Sequence, residues 1–221
     1  KAEGFSAAKL KVGFDVEEDA ALIEAVRNAV GPDFGLMLDA NHGYDSIDAI
    51  RLAQRVEHLN LGWFEEPVPP EDLKGYLAVK ASTSIPMAGG ECEYTRFGFR
   101  EVLKSGAIDY LQPDICAAGG LSECKKIADM ANAFGIRIVP HVWGTGIGLS
   151  AGLHLLSVLP HNPPGRRPWE PMLEFDRSEH PARQAIMRTP IEHEHGVVQV
   201  PTGPGLGIEI DRDALTSFTV P

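Results

Sequence analysis

Apolar residues along the chain alternate between helical spacing and short unbroken runs. Val16, Ala20, Ile23, Val26 and Val30 follow the helical period and stop at Gly31-Pro32. Leu36-Met37-Leu38 then gives a short strand ending at Asp39. A helix from Ser46, as its N-cap, to about Leu59 leads into Gly62-Trp63-Phe64 and Glu65. The cycle continues with a helix near 71–82, strand Ile85 to Ala88 and Glu91. A helix near 96–105, strand Tyr110-Leu111-Gln112 and Asp114 come next. They are followed by a helix over 121–134, strand Ile136 to Pro140 and His141. A helix over 146–159 and a strand near 169–175 complete the pattern. With Ala7 to Val12 at the start, seven strands are expected. Beyond Phe175 the chain is punctuated by Pro and Gly, with one short helix expected over His180 to Met187.

Short apolar strands between amphipathic helices predict a parallel sheet covered by helices. The polar residues that end the strands are evenly spaced. From Lys11 to Asp39, Glu65, Glu91, Asp114 and His141 the steps are 28, 26, 26, 23 and 27 residues. Eight such units need about 208 residues, the scale of a closed TIM-type (β/α) barrel. An open, doubly wound sheet gathers its polar groups at one switch point, so the regularity favours the barrel. The expected division is a barrel over 1–176 and a C-terminal segment over 177–221. Seven strands leave two unpaired edges, and Lys1-Ala2-Glu3-Gly4 reads as the stub of an earlier helix. The expectation is a later part of a longer protein, one that aggregates or melts easily when made alone.

Composition adds exclusions. Apolar residues make up 43% of the chain and charged residues 23%, which rules out intrinsic disorder. The uncharged stretch Val142 to Pro164 is broken by Gly, Pro and His, so no membrane span is expected. A net charge of −11 gives no reason to expect nucleic acid or an anionic membrane as partner. Three cysteines make no disulfide framework, and with no signal segment at the start a cytoplasmic location is expected.

The rim formed by the C-terminal ends of such strands is where a barrel carries its chemistry. Asp39, Glu65 and Glu91 come from consecutive strands, so their carboxylates converge and need a positive partner. A hard divalent cation with oxygen ligands, Mg²⁺ above all, suits them. Lys9 and Lys11 flank Leu10 and share one face. Side by side in a barrel mouth they are expected to have lowered pKa values, fit for a general base. Asp114 and His141 end neighbouring strands, which brings an imidazole to a carboxylate.

The ordered set Lys9-Leu10-Lys11, Asp39-Ala40-Asn41, Trp63-Phe64-Glu65-Glu66-Pro67, Gly89-Gly90-Glu91, Gln112-Pro113-Asp114 and Pro140-His141 resembles the enolase superfamily, mandelate racemase subgroup. The tail Val200-Pro201-Thr202-Gly203-Pro204-Gly205-Leu206-Gly207 resembles that family's return toward a capping domain. His141-Val142-Trp143-Gly144-Thr145-Gly146 and Glu174-Phe175-Asp176-Arg177 resemble its acid-sugar members, the dehydratases and galactarolactone cycloisomerases. The resemblance implies Mg²⁺ held by Asp39, Glu65 and Glu91, a base at Lys11, and the Asp114–His141 pair on the opposite substrate face. It implies that Lys9 neutralises the substrate carboxylate and depresses the pKa of Lys11. Asn41 would bond substrate or a metal ligand. A last-strand Glu bonded to the enediolate would be Glu174 or Glu170, with Glu174 favoured because Pro171 interrupts the strand beside Glu170. Against the family's pattern, the first β/α unit and the N-terminal capping segment that selects substrate are missing, and that segment is an expected partner. A homo-oligomer is expected too.

The implied reaction is abstraction of the proton α to a sugar-acid carboxylate. β-Elimination or lactone opening follows; racemisation or epimerisation of a 2-hydroxy acid is the alternative. A catalytically inactive scaffold is opposed by the intact set of ligands and bases. A metal-dependent aldolase or hydrolase barrel would not explain Lys11 facing His141. Gly144-Thr145-Gly146 lacks a nucleotide-binding spacing and suits a loop near the substrate's far end. His193-Glu194-His195 reads as a solvated strand, and Cys92 and Cys116 as packing residues.

Overall fold

Apolar runs become strands and amphipathic stretches become helices over the residues that this computed structural model describes, 1–160 and 170–219. Strands β1 (Ala7–Lys11), β2 (Gly35–Asp39), β3 (Phe64–Glu65), β4 (Met87–Gly89), β5 (Tyr110–Leu111) and β6 (Arg137–Ile138) form one parallel sheet in chain order. The returns are α1 (Val16–Val30), α2 (Ser46–Val56), α3 (Leu73–Ser82), α4 (Thr95–Ser105), and the pair α5 (Ile115–Ala118) and α6 (Gly120–Ala133); α7 (Gly146–Leu156) follows β6. This is the α/β arrangement with a helix on each parallel crossover.

Local chemistry sets the boundaries. Asp45 rather than Ser46 caps α2, its carboxylate accepting from the Ile47 and Asp48 amides at 2.9 and 3.0 Å. A charged acceptor at a helix N-terminus outcompetes a hydroxyl one residue later. The helix stops at Val56, and the expected last turn to Leu59 is a 3₁₀ turn, closed by Asn60 at φ +53°. The pattern gave no sign of α5, a single turn capped by Asp114 and ended by Gly119 at φ +119°.

The strand expected near 169–175 is absent from the sheet. Trp169 lies outside the described residues, and residues 170–175 make no strand pairing, so six strands, not seven, form the parallel sheet among the described residues. Pro171 lacks the amide hydrogen a ladder needs. The segment still alternates: Met172 packs with Met37, Trp63, Ala88 and Val139, while Leu173 packs with Val142, Leu149 and Leu153. The tail carries α8 (Pro181–Ala185), the hairpin of β7 (His193–Glu194) and β8 (Val197–Val198), and α9 (Arg212–Ser217). Ile186, Met187 and Ile191 of the tail bury against α7. Among the described residues no helix is long and apolar enough to cross a membrane.

Two apolar layers follow from the period of two along a strand. Leu36, Leu38, Phe64, Met87, Leu111 and Ile138 face the helices in the main core. Met37, Trp63, Ala88 and Val139 face the other way in a smaller cluster that Ala7 and Tyr110 join. That inner parity places the polar residues of the strand ends on the same side as this smaller cluster.

Candidate active site

Parity aims Lys9, Lys11, Asp39 and Glu65 at one region, and register fixes their heights. Lys11 pairs with Asp39, and Asp39 with Glu65, across adjacent strands. Asp39 and Glu65 are completely buried. Glu91 does not end its strand, as the spacing suggested; β4 stops at Gly89 and Glu91 sits in the turn beyond. Gly90 makes that turn at φ +123°, where a Cβ would lie 3.1 Å from Phe99 Cε1 and 3.3 Å from the Gln112 amide nitrogen. One carboxylate oxygen from each of Asp39, Glu65 and Glu91 lies within 4.8 Å of the others.

The two lysines sit on this triplet. Lys9 Nζ is 2.5 Å from Glu65 Oε1, 2.9 Å from Glu174 Oε1 and 3.2 Å from Asp39 Oδ2. Lys11 Nζ donates to Asp39 Oδ2 at 2.5 Å and to Asn41 Oδ1 at 2.7 Å. Burial works against the charge of Lys9, but Glu65, Glu174 and Asp39 outweigh it and hold Lys9 above its ordinary range. The expectation of a lowered pKa therefore fails for Lys9: three carboxylates lie within 3.2 Å of its ammonium group. Asp39 is likewise held below its usual value; burial opposes this, and Lys9 and the hydrogen bond from Lys11 overcome it. Glu65 goes the other way, pushed up to about 7 by burial that Lys9 only partly offsets.

At the other end of the triplet, Asp114 and His141 form an isolated parallel bridge past β5 and β6. His141 Nδ1 lies 2.7 Å from Asp114 Oδ2, and Nε2 lies 3.4 Å from Glu91 Oε2. Asp114 Oδ1 accepts the Cys116 amide at 2.6 Å, so the first turn of α5 fixes its carboxylate. Burial disfavours charge on both. The hydrogen bond nonetheless raises His141, helped by Glu91 and Glu174, and lowers Asp114. With Nδ1 committed to Asp114, Nε2 is the free proton carrier. Lys11 thus contacts the Asp39 end of the triplet and His141 the Glu91 end.

Glu174 is brought to Lys9 and accepts the Val142 amide at 3.3 Å, whereas Glu170 is exposed. Cys92 is half-buried, but Cys116, expected to pack, is exposed. The tail residues 193–194 do form a strand, with His193 half-buried against Phe5 and Phe175. Three residues of the motif had no assigned role. Trp63 Nε1 and Gln112 Nε2 both donate to Glu65 Oε2, at 2.9 and 2.7 Å, and hold that carboxylate in place. Their signal was parity, two residues before Glu65 and two before Asp114. Glu66 is completely buried and pushed up to about 8 by burial and by Glu91, Asp39 and Glu65.

The carboxylate triplet passes a test of fit for a hard divalent cation. Its ligand atoms are all oxygens, and Glu91 Oε2 is buried with no hydrogen-bond donor. Known proteins resemble the chain along almost its whole length. The model of the enolase C-terminal domain-like family matches residues 1–214. D-galactarolactone cycloisomerase of Agrobacterium fabrum is 53% identical over 221 residues, covering 100% of this chain and 58% of that protein. Arabinonate dehydratase of Saccharolobus solfataricus is 34% identical over 96% of this chain and 54% of its own length. The crystal structure of the 3,6-anhydro-D-galactonate cycloisomerase from Zobellia galactanivorans superposes with a TM-score of 0.91 at 44% identity, over 98% of this chain and 59% of that one. The chain therefore spans little more than half the length of the relatives it matches. With residues 1–214 matched by the family model and the fold shared, the chain belongs to the enolase superfamily, in its mandelate racemase subgroup.

Proposed function

We propose that the whole protein is a Mg²⁺-dependent enzyme that abstracts the proton α to the carboxylate of an acid sugar or its lactone and expels a β-oxygen. The observation that carries this is the placement of Lys11 and His141 at opposite ends of one carboxylate triplet. The six parallel strands belong, on this reading, to a (β/α) barrel. Mg²⁺ held by Asp39, Glu65 and Glu91 supplies the positive charge that makes an α-proton acidic enough to remove. Lys9, fixed as a cation by three carboxylates, binds the substrate carboxylate. Lys11 Nζ takes the α-proton, and Asn41 and Asp39 orient that amine. The C–H electron pair moves toward the carboxylate, then returns to break the β C–O bond. His141 Nε2 gives its proton to the departing oxygen, with Asp114 holding the imidazole in the required tautomer. Glu174, tied to Lys9, bonds the substrate beside that carboxylate.

When the departing oxygen is the ring oxygen of a lactone, the ring opens and the reaction is a cycloisomerisation; when it is a hydroxyl, water leaves and the reaction is a dehydration. Similarity to a galactarolactone cycloisomerase over the full chain favours the first. The test is proton NMR of the full-length protein with Mg²⁺ in D₂O, against aldonates, aldarates and their lactones. Ring opening or elimination with α-deuterium exchange is expected. Inversion at the α-carbon with no β-oxygen lost would make the enzyme a racemase or epimerase. Absence of any α-exchange across the panel would remove the reading.

A further inference from the structure

Directly beside the carboxylate triplet lies a second constellation, built from His42, Glu66 and Cys92. One ligand atom from each lies within 4.8 Å of the others. Each follows a member of the triplet by one to three residues, so the same three turns that present Asp39, Glu65 and Glu91 present these side chains. His42 Nδ1 lies 3.0 Å from Glu66 Oε2. Glu66 is fully buried, and the side chains that reach its carboxylate are the His42 imidazole and the Cys92 thiol, the other two members of the cluster. A buried carboxylate whose side-chain partners are one imidazole and one thiol, next to three further carboxylates, is costly unless a cation reaches it. His42 is 39% exposed at the side chain, which gives an ion a path from solvent.

We propose that His42, Glu66 and Cys92 bind a second divalent cation, a transition metal of the Zn²⁺ or Co²⁺ type. The donor set decides the class: imidazole nitrogen and thiolate sulfur suit such ions and reject Mg²⁺, while the triplet of hard oxygens prefers Mg²⁺. Three protein ligands with one position left for water form the tetrahedral set such ions adopt. A cation there supplies the charge that Glu66 lacks and clips together the three turns that carry the triplet. It takes no part in the proton transfers assigned above, and it stands or falls independently of them.

The test strips the full-length protein with a chelator, saturates the oxygen triplet with Mg²⁺ and titrates with Co²⁺. A thiolate-to-cobalt charge-transfer band in the near ultraviolet is expected. It should vanish in Cys92→Ser, need at least about tenfold more Co²⁺ in His42→Ala, and persist in Asp39→Asn. No band in the folded wild-type protein overturns the proposal. A band that survives Cys92→Ser, and so arises at another thiolate, overturns it equally. Loss of Mg²⁺ binding in Asp39→Asn reports on the triplet alone, so failure of one site is distinguishable from failure of the other.

Discussion

Burial of Glu65 and Glu66 among like charges makes the stability of the cation-free protein fall as pH rises. Glu65 moves from an ordinary 4.5 to about 7 and Glu66 to about 8, with burial the leading cause in both. A carboxyl group raised in the folded state binds its proton more tightly there than in the unfolded chain. Its penalty is therefore absent below the unfolded value, grows between about 4.5 and about 7 for Glu65, and is constant above that. At 1.36 kcal/mol per pKa unit, Glu65 alone costs about 3 kcal/mol above neutrality. While it titrates, the slope is about 1.4 kcal/mol per pH unit. His141 acts in the same sense, because its contribution is lost as pH climbs through its raised value. Asp39 and Asp114 are held low, so their contributions are lost only toward the acid end. The assay is urea unfolding of the full-length protein from about pH 5 to about pH 8, in chelator and in saturating Mg²⁺. Stability in chelator should decline with pH, Mg²⁺ should flatten the decline, and Glu65→Gln should remove about one proton's worth of slope. A flat or rising profile in chelator, or an unchanged slope in Glu65→Gln, would refute the reasoning.

Four further outcomes follow from the same geometry. Asp39→Asn should abolish Mg²⁺ binding by calorimetry and stop turnover while the protein stays folded. Lys11→Ala and His141→Asn should each lose overall turnover yet differ in α-proton exchange followed by NMR, since each serves one end of the site; substantial turnover in both would show that neither carries the proton. Gln112→Leu leaves Glu65 Oε2 with Trp63 as its one neutral donor, so urea melts should show a loss of about 1.5–3 kcal/mol. Gly13→Ala should destabilise by at least about 2 kcal/mol in the same assay, because its φ is +100° and its new Cβ would lie 2.5 Å from the Ala40 carbonyl oxygen.

Sequence periodicity located the sheet because each inner strand carries a two-residue alternation that a parallel α/β fold must respect. Met37 and Asp39, Trp63 and Glu65, and Val139 and His141 share inner faces for that reason alone. Where the chain leaves the ladder, the pattern lost its hold. Glu91 lies in a turn whose path depends on the conformation of Gly90, and the segment after Trp169 keeps its alternation without backbone pairing. Electrostatics were legible only in part. Two lysines on one strand face suggest mutual repulsion, but the distance that decides the sign is from Lys9 to Glu65, residues 56 apart in sequence. Glu66 escaped notice for a related reason: a residue next to a strand-end acid alternates to the opposite face in an ideal strand. Here its φ of +42° breaks the alternation and turns it inward.

An acidic chain is an unexpected host for the acidic substrate proposed above, and the residues of the site bear on that conflict. Asp39, Glu65, Glu66, Glu91 and Glu174 crowd five carboxyl groups together, and the two lysines reach only three of them, Asp39, Glu65 and Glu174. A divalent cation on the triplet offsets that excess of acids. With that cation bound, the sugar acid of the proposed reaction meets a less negative centre and the Lys9 ammonium group; without it, the carboxylates repel the substrate and compete with it for Lys9. Substrate affinity should therefore depend on Mg²⁺ even for an inert analogue that cannot lose its α-proton. Equilibrium dialysis of such an analogue, tight in Mg²⁺ and at least about tenfold weaker in chelator, separates this electrostatic account from one in which the metal serves only the chemical step.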